Sequence, residues 1–428
     1  MILGLAGLLI IIDFLAFLGL NVLLKDIHLG IIETILKVVY WIFTAFIIGL
    51  IYYSYSNHNI DSKRQHRILA FIFSLTMMSF LPKIIFTIFY GIGTLGSVVY
   101  GFSILPFDFN PYAGKIALIA TQGGLMLGVG IFFLLLEGVT TGKHRHTIKR
   151  ISLTFDHLPP AFDGFKIVHF TDLHLGSFND NHKAVRKAVR KINHLHPDII
   201  CFTGDMVNNY AAETAGWEPV LEKLEAKEGM FSVFGNHDYG DYSHWPSRDA
   251  KQQNLSDLLN FQWHCGFEVL MNDAKVIERD GEKIAVIGVE NWGKPPFKQY
   301  GDLEKAKAKV GDIHFKILLS HDPSHWELEV LEDPEIALTL SGHTHGAQFG
   351  FRIGKRNWSP VQYKYKRWQG LHKVGKQYLY VNVGLGFLSF PGRIGIRPEI
   401  TLIELKSRKD HAATATAGAQ SERMREEV

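Results

Sequence analysis

Five short apolar runs in the chain each end in side chains that can bind a metal ion or move a proton. The segments that follow them are Asp172-Leu173-His174, Gly204-Asp205, Gly235-Asn236-His237-Asp238, Ser320-His321 and Gly342-His343-Thr344-His345. Their donor atoms are oxygen and nitrogen without a thiolate, which suits manganese, iron or zinc rather than a structural zinc site. Sites in open α/β sheets form at the carboxyl ends of strands. We therefore expect these side chains to meet, with the glycines allowing the backbone to approach closely.

Short apolar runs alternate with amphipathic stretches in the part of the chain that must position these metal-binding side chains. This pattern predicts an α/β domain over residues 165–405. One helix is clear from apolar residues at helical spacing, namely Ala184, Val185, Ala188, Val189, Ile192 and Leu195. Its opposite face is basic. That face is either solvated or in contact with anionic lipid.

The first third of the chain has a different composition. Residues 1–142 contain only seven Lys or Arg and six Asp or Glu. Four apolar runs there, 1–24, 31–53, 68–92 and 115–139, are long enough to cross a bilayer. We therefore predict a transmembrane helical domain over 1–142. Pro82-Lys83 should interrupt the third run, and the Gly-, Pro- and aromatic-rich residues 93–114 should form an interfacial or re-entrant segment.

The basic residues beside these runs predict an orientation. Seven lie on one side of a four-span arrangement, and only Lys25 and Lys115 lie on the other; the seven are Lys63, Arg64, Arg67, Lys143, Arg145, Lys149 and Arg150. Because basic loops stay inside, the soluble domain is expected in the cytoplasm, attached to a bacterial inner membrane. Within the spans, Asp13, Lys83 and Glu137 either form a polar path through the bundle, or Glu137 lies near a membrane boundary and Lys83 snorkels or pairs.

Overall charge and cysteine content exclude two further classes. The formal net charge of +3 is too balanced for a nucleic-acid binder, and Cys201 and Cys265 are too few for a disulfide framework or a multi-cysteine zinc module.

The ordered series Asp-x-His, Gly-Asp, Gly-Asn-His-Asp, His and Gly-His-x-His resembles the calcineurin-like metallophosphoesterases. The segment Pro159-Pro160-Ala161-Phe162-Asp163-Gly164 is similar to their membrane-attached bacterial branch. The resemblance covers about residues 150–405 and implies a four-layer α/β/β/α sandwich. Residues 143–164 are expected to form a linker and entry segment. Residues 406–428 are rich in Ala, Thr and charged residues without an apolar period, which predicts a disordered tail.

The resemblance also implies a dinuclear site. One metal ion would be held by Asp172, His174, Asp205 and His345, and the other by Asp205, Asn236, His321 and His343. Two such ions, of manganese, iron or zinc, would turn a shared water into a hydroxide that attacks phosphorus in line. His237 would stabilise the transition state or protonate the leaving oxygen, and Asp238 could orient it.

Differences from the motifs of related phosphatases narrow the subfamily to which this chain can belong. Met206-Val207-Asn208-Asn209 replaces the Asp-Arg-Gly expected in Ser/Thr protein phosphatases, and Asn208 stands where purple acid phosphatases have a tyrosine ligand. Ala347-Gln348 follows Gly346 where relatives of this branch often have a second glycine, so the neighbouring loop is expected to differ.

The segment 351–376 is rich in aromatic and basic residues and directly follows the last motif. Three interpretations of this segment are open. It forms a solvated hairpin, or it forms a lid that binds either substrate phosphate or the membrane interface. Nucleic-acid binding is the lesser option.

Two functions from different classes follow. The first is a membrane-tethered phosphoesterase that cleaves a phosphodiester or pyrophosphate bond in a phosphorylated small molecule or lipid, for example UDP-2,3-diacylglucosamine; cyclic nucleotides are an alternative substrate. The second is a non-catalytic membrane sensor or transporter component, which the complete set of ligands disfavours.

Overall fold

The computed structural model describes residues 2–25, 27, 30–56, 63–104, 113–178, 181–354 and 356–408. The chain divides into two compact units. The first comprises Met1–Thr141 with Ser389–Gly392, and the second comprises Gly142–Leu388 with Arg393–Val428.

The first unit is helical. Its helices are α1 (Ile2–Leu24), α2 (Ile31–Ser56), α3 (Lys63–Ile104) and α4 (Ala113–Thr140). Within the described residues, all four are long and apolar enough to cross a membrane, which confirms the four predicted spans.

The third helix differs from the sequence prediction. It runs through Pro82 without interruption and continues to Ile104, so no re-entrant segment begins at residue 93. Proline removes one backbone hydrogen bond, but a lipid-exposed break would leave several polar groups without partners, so an unbroken helix is preferred. The rest of the predicted interfacial segment, residues 105–112, lies outside the described residues.

Small residues allow α3 and α4 to approach closely. A methyl group on Gly124 would come within 2.5 Å of the Phe89 Cβ, and one on Gly128 would come within 3.0 Å of the Pro82 carbonyl oxygen. The two glycines are four residues apart, the spacing with which membrane helices bring their backbones together.

The second unit contains two sheets and a short hairpin in the described part of the chain. Its strands are β1 (Thr147–Phe155), β2 (Lys166–Phe170), β3 (Ile199–Phe202), β4 (Gly229–Ser232), β5 (Phe267–Val269), β6 (Asp273–Arg279), β7 (Glu282–Gly288), β8 (Lys316–Leu319), β9 (Ile336–Ser341), β10 (Phe351–Ile353), β11 (Arg356–Trp358), β12 (Gly370–Val374), β13 (Gln377–Val381) and β14 (Glu399–Ser407). One sheet has the order β1-β14-β2-β3-β4-β5, and the other has the order β12-β13-β9-β8-β7-β6. Strands β2 to β5 are mutually parallel, as are β7, β8, β9 and β13.

Three buried clusters define four layers. Between the sheets, side chains such as Ile167 and Phe231 from one sheet pack with Val286 and Leu338 from the other. The outer face of the first sheet is covered by α5 (His182–Asn193), α6 (Glu218–Leu221) and α7 (Arg248–His264). The outer face of the second is covered by α8 (Leu303–Lys307) and α9 (Ser324–Leu328). The predicted α/β/β/α sandwich is thus confirmed, and the apolar stripe of α5 is buried as predicted.

The predicted linker and tail are shorter than the sequence suggests. Within 143–164 the chain forms β1, whose backbone pairs in parallel with β14 over nine residues. Strand β14 extends to Ser407 because this pairing satisfies its backbone hydrogen bonds. Residues 409–428 of the predicted tail lie outside the described residues.

Candidate metal centre

The predicted ligands follow the ends of five strands. Adjacent parallel strands β2, β3 and β4 place the first three motifs at one edge of the first sheet, and β8 and β9 place the last two at one edge of the second. Parallel strands end on the same side of a sheet, so the motifs converge.

Four of the side chains form one tight group. Donor atoms of Asp172, His174, Asp205 and His345 all lie within 4.8 Å of one another, and all four residues are buried. The Nε2 atoms of His174 and His345 are 3.0 Å apart, and His345 Nε2 is 3.1 Å from Asp172 Oδ1. This set of two carboxylates and two imidazoles fits a first-row metal ion.

Three further side chains form a second group next to it. His343 Nδ1 lies 2.9 Å from Asn236 Oδ1 and 3.3 Å from His321 Nε2. The amide nitrogen of Asn236 donates to the Tyr242 hydroxyl at 2.8 Å, which leaves its oxygen for the centre. Together the two groups are compatible with a binuclear metal site.

Asp205 joins the two groups through one atom. Its Oδ2 lies 3.1 Å from His321 Nε2 in the second group and 3.6 Å from His174 Nε2 in the first. A carboxylate in this position can contact two cations at once.

The charges of these groups depend strongly on one another. Burial acts to raise the pKa of Asp205, but the histidines around it, His321 foremost, outweigh burial and hold it well below the usual range. Burial also acts to lower the pKa of His321, yet the Asp205 carboxylate raises it to about 10. By contrast, burial lowers the pKa of His174 to about 3, so its ring is neutral with a free lone pair. Ionised carboxylates and neutral imidazoles are the forms that bind metals, so His321 must release a proton when an ion binds.

Contacts behind the histidines fix which nitrogen faces the centre. His321 Nδ1 lies 2.6 Å from the Thr203 carbonyl oxygen, so it must donate there and present Nε2 inward. His343 presents Nδ1 to the centre instead, because its Nε2 contacts the Tyr365 hydroxyl at 2.7 Å. The buried guanidinium of Arg393 lies behind His345, with one nitrogen 3.3 Å from Nδ1.

His237 lies at the side of the centre rather than within it. Its Nδ1 is 2.7 Å from the Asn208 carbonyl oxygen, so this nitrogen donates and Nε2 is left available. Its ring is half-buried and lies 4.8 Å from the Tyr242 ring and 5.1 Å from the His174 ring.

The hydrogen bonds of the Asp238 carboxylate in the described part of the chain come from backbone rather than from His237. It accepts from the N–H groups of Gly235, Asp205, Met206 and Val207. Burial, with the Asp205 charge, raises the pKa of Asp238 to about 7 against the opposing effect of these donors. Asp238 links the loop after β3 to the loop after β4, because its one buried carboxylate accepts hydrogen bonds from four N–H groups of these loops.

Backbone strain is concentrated at the ligands. Asp172, His174, Asp205, His343 and His345, five of the seven predicted ligands, have φ between 46° and 71°. Non-glycine residues rarely adopt this left-handed conformation outside functional sites. Ala347 shares it with φ of 49°, at the position where a glycine was expected.

The aromatic and basic segment meets the centre at one point. Residues 351–353 and 356–358 form the hairpin of β10 and β11, whereas Tyr365 reaches His343. Lys364 Nζ lies 4.7 Å from the Phe297 ring, and that ring lies 4.9 Å from the His343 ring. Arg367, in contrast, is paired with Glu327.

Sequence reasoning missed Asp322, Tyr365 and Arg393. Asp322 directly follows a ligand and Tyr365 lies in a segment already singled out, so both had a weak signal. Arg393 comes from the chain between β13 and β14, and nothing in its local sequence indicates that it packs behind His345.

Comparison with known proteins agrees with this geometry. Residues 165–347 match the family described as calcineurin-like phosphoesterase, and residues 1–143 match one described as probable calcineurin-like phosphoesterase, transmembrane domain.

Three relatives illustrate the similarity. An uncharacterized metallophosphoesterase, YkuE of Bacillus subtilis, is 35% identical over 61% of this chain and 84% of that protein. A transmembrane protein with metallophosphoesterase domain from Bos taurus is 28% identical over 63% of this chain and 59% of that protein. Phosphodiesterase YaeI of Escherichia coli is 28% identical over 56% of this chain and 82% of that protein.

The fold and the clustered ligands define a metal-dependent phosphoric ester hydrolase. The chain belongs to the calcineurin-like metallophosphoesterases, and it carries a transmembrane domain of the kind found with them.

Proposed function

We propose that the second unit hydrolyses a phosphodiester or pyrophosphate bond at a dinuclear site. Asp172, His174, Asp205 and His345 would hold one ion, and Asp205, Asn236, His321 and His343 would hold the other. The observation that carries this assignment is the position of Asp205 Oδ2 between His174 Nε2 and His321 Nε2.

Two ions held there would supply Lewis acidity to the phosphoryl oxygens and lower the pKa of a water. The protein's own contribution is to hold the ligand set in place. Thr203 and Tyr365 fix the rings of His321 and His343, so the ligands need little reorganisation when they bind an ion.

His237 would serve the leaving group. The Asn208 carbonyl keeps the proton of a neutral ring on Nδ1, so a second proton must reside on Nε2. From that atom the ring can donate to the departing oxygen as the bond to phosphorus breaks.

The substrate we propose is a lipid-linked nucleotide such as UDP-2,3-diacylglucosamine. The four spans keep the enzyme at the membrane where such a molecule resides. Near the centre, Phe297 offers a ring face and Lys364 a positive charge, which suit a base and a phosphate respectively. A smaller phosphodiester such as a cyclic nucleotide is the second candidate, because a relative is named a phosphodiesterase.

We further propose that the second unit faces the cytoplasm of a bacterial inner membrane. The support is the bias of seven basic residues to two beside the spans. Fusion of alkaline phosphatase or a fluorescent protein after Val428 tests this orientation. The fluorescent-protein fusion should fluoresce and the alkaline phosphatase fusion should be inactive. The opposite pair of results would overturn the cytoplasmic orientation.

The test of the reaction uses the purified full-length chain. The protein is stripped with a chelator, reloaded separately with Mn²⁺, Fe²⁺ or Zn²⁺, and assayed on bis(p-nitrophenyl) phosphate, cyclic AMP and UDP-2,3-diacylglucosamine. Hydrolysis should vanish on stripping and return with at least one metal. Asp205→Asn should be inactive, whereas Asp257→Asn, on the exposed face of α7, should match the wild type.

Turnover that survives complete metal removal would contradict the proposal. So would loss of turnover in Asp257→Asn as large as that in Asp205→Asn, because the effect would then not be specific to the centre.

A further inference from the structure

We propose that the second unit contains a binding site for a phosphate ester that carries an apolar group. The site is a cavity beside the outermost strands of the two sheets. None of the residues that line it is a predicted metal ligand or His237, so the site is separate from the metal centre and independent of the proposed hydrolysis.

The cavity has a volume of about 500 Å³ and is lined by the first residues of three strands. These are Thr147 of β1, Gly370 of β12 and Glu399 of β14. Strands β1 and β12 are each the outermost strand of their sheet. The volume falls within the range for small-molecule sites, about 300–1,000 Å³. The cavity is therefore large enough for an organic molecule rather than a single ion.

Four basic residues from three separate parts of the chain line this cavity. They are Lys149 and Arg150 on β1, Arg352 on β10 and Arg397 just before β14. Within the described residues, none of the four forms a salt bridge with a carboxylate. Arg352 donates from Nε to the Gly354 carbonyl oxygen at 3.2 Å, which leaves its two terminal nitrogens for another acceptor. Positive charges gathered without acidic partners repel one another, so they favour the binding of an anion.

Glu399 is the one acidic residue that lines the cavity in the described part of the chain, and its carboxylate is already engaged. Its Oε1 accepts hydrogen bonds from the Tyr380 hydroxyl at 2.7 Å and the Thr401 hydroxyl at 2.9 Å, and the residue is buried. A single carboxylate cannot neutralise the four basic groups. The cavity therefore keeps a net positive charge, which selects an anion over a neutral ligand.

The rest of the lining decides the chemical class of the anion. Guanidinium groups such as those of Arg352 and Arg397 bind phosphate oxygens through paired N–H groups. Another part of the wall is apolar and includes Ile151, Leu371 and Ile396. An inorganic anion would leave this wall in water, whereas a phosphate ester with an apolar group contacts both surfaces. Such a ligand is either a phospholipid or a soluble phosphate ester, and the test separates these two sources.

Arginine footprinting measures occupancy at the cavity itself. The full-length protein in phosphatidylcholine nanodiscs is treated with phenylglyoxal, which modifies accessible arginines, and the rate at each arginine is followed by mass spectrometry. The soluble probe is phenylphosphonate, which has no ester bond to hydrolyse. It should protect Arg352 and Arg397 to saturation, whereas Arg186, exposed on α5, should react at an unchanged rate. Benzoate has the same ring with a single charge and should require at least about a tenfold higher concentration.

The lipid arm replaces part of the phosphatidylcholine with phosphatidylglycerol and omits phenylphosphonate. Slower modification of Arg352 and Arg397 relative to Arg186 in these nanodiscs would assign the site to a phospholipid. Protection by phenylphosphonate alone would assign it to a soluble phosphate ester. Either result supports the site.

Two matched pairs of variants test the lining residues, with protection read at Arg397. Arg352→Gln should raise the half-protecting amount of phenylphosphonate or phosphatidylglycerol about tenfold, whereas Arg356→Gln, in the same hairpin but outside the cavity, should not. Leu371→Glu places a carboxylate in the cavity and should raise this amount at least as much. Val374→Glu makes the same change at a similarly exposed position of β12 outside the cavity and should leave it unchanged.

Modification of Arg352 and Arg397 that neither probe slows relative to Arg186 would overturn the site. So would protection that Arg356→Gln and Val374→Glu weaken as much as the two cavity variants, because it would then reflect the overall charge of the surface. Size-exclusion profiles of each variant establish that it is folded before labelling.

Discussion

The Nε2 atom of His343 lies 2.7 Å from the hydroxyl oxygen of Tyr365, and Asp322 Oδ2 lies 3.5 Å from both atoms. Burial, helped by Asp322, raises the pKa of Tyr365, so its hydroxyl keeps its proton and can donate to the carboxylate. His343 then donates from Nε2 to the tyrosine oxygen. This chain leaves the lone pair of Nδ1 directed to the centre.

Tyr365→Phe should therefore weaken metal binding about tenfold, the lower end of the effect expected for a group behind a ligand. Competition with a fluorescent chelator measures the affinity directly. Tyr363→Phe is the control, because Tyr363 is 80% exposed two residues away. Equal affinities for the two variants would show that the tyrosine does not support His343.

His237→Ala should keep its metal content and lose turnover by about 10²-fold or more on a diester with a poor leaving group. On bis(p-nitrophenyl) phosphate the loss should be much smaller, because nitrophenolate departs without a proton. His244→Ala, at an exposed position seven residues along, should behave as the wild type. Equal losses on both substrates would argue against proton donation to the leaving oxygen.

Lys364→Glu should raise KM for a phosphorylated substrate about threefold to tenfold, and added salt should reduce the difference. Lys366→Glu makes the same change of charge at an exposed position and should have little effect on KM. Arg367 is unsuitable as a partner in this test because it pairs with Glu327. Identical KM values for the two variants would assign the segment a structural role only.

Gly342→Ala should destabilise the metal-free protein by about 1–3 kcal/mol, the cost of placing a methyl group in a filled site. The added methyl would overlap the side chains of Thr171 and Asp172. Gly281→Ala is the comparison, since φ there is 79° but no atom lies within 4 Å of the added carbon. A thermal midpoint for Gly342→Ala at or above that of Gly281→Ala would contradict the close approach inferred at the centre.

Strand positions and ligand types could be predicted because both depend on local sequence. The runs before Asp172 and Asp205 are buried strands, and their parallel pairing brings the two motifs together. Five motifs in order also identify the family, and with it the sandwich fold.

Other features depend on contacts between distant segments and were not predictable. The carboxylate of Asp238 is used by backbone N–H groups of another loop, and His237 is oriented by Asn208, which is 29 positions earlier. The pairing of β1 with β14 joins residues about 250 positions apart, so the segment before Pro159 carries no local sign of belonging to a sheet. The path of α3 through Pro82 follows from its apolar surroundings rather than from proline's own preference.

The most direct test of the dinuclear assignment is the metal content of Asp205→Ala. Elemental analysis of the wild-type protein after gel filtration should give about two metal ions per chain. Asp205→Ala should lose both or nearly both, since its Oδ2 lies beside His174 and His321. Asp257→Ala should keep the wild-type content. Two tightly bound ions in folded Asp205→Ala would contradict the assignment of Asp205 as the bridge.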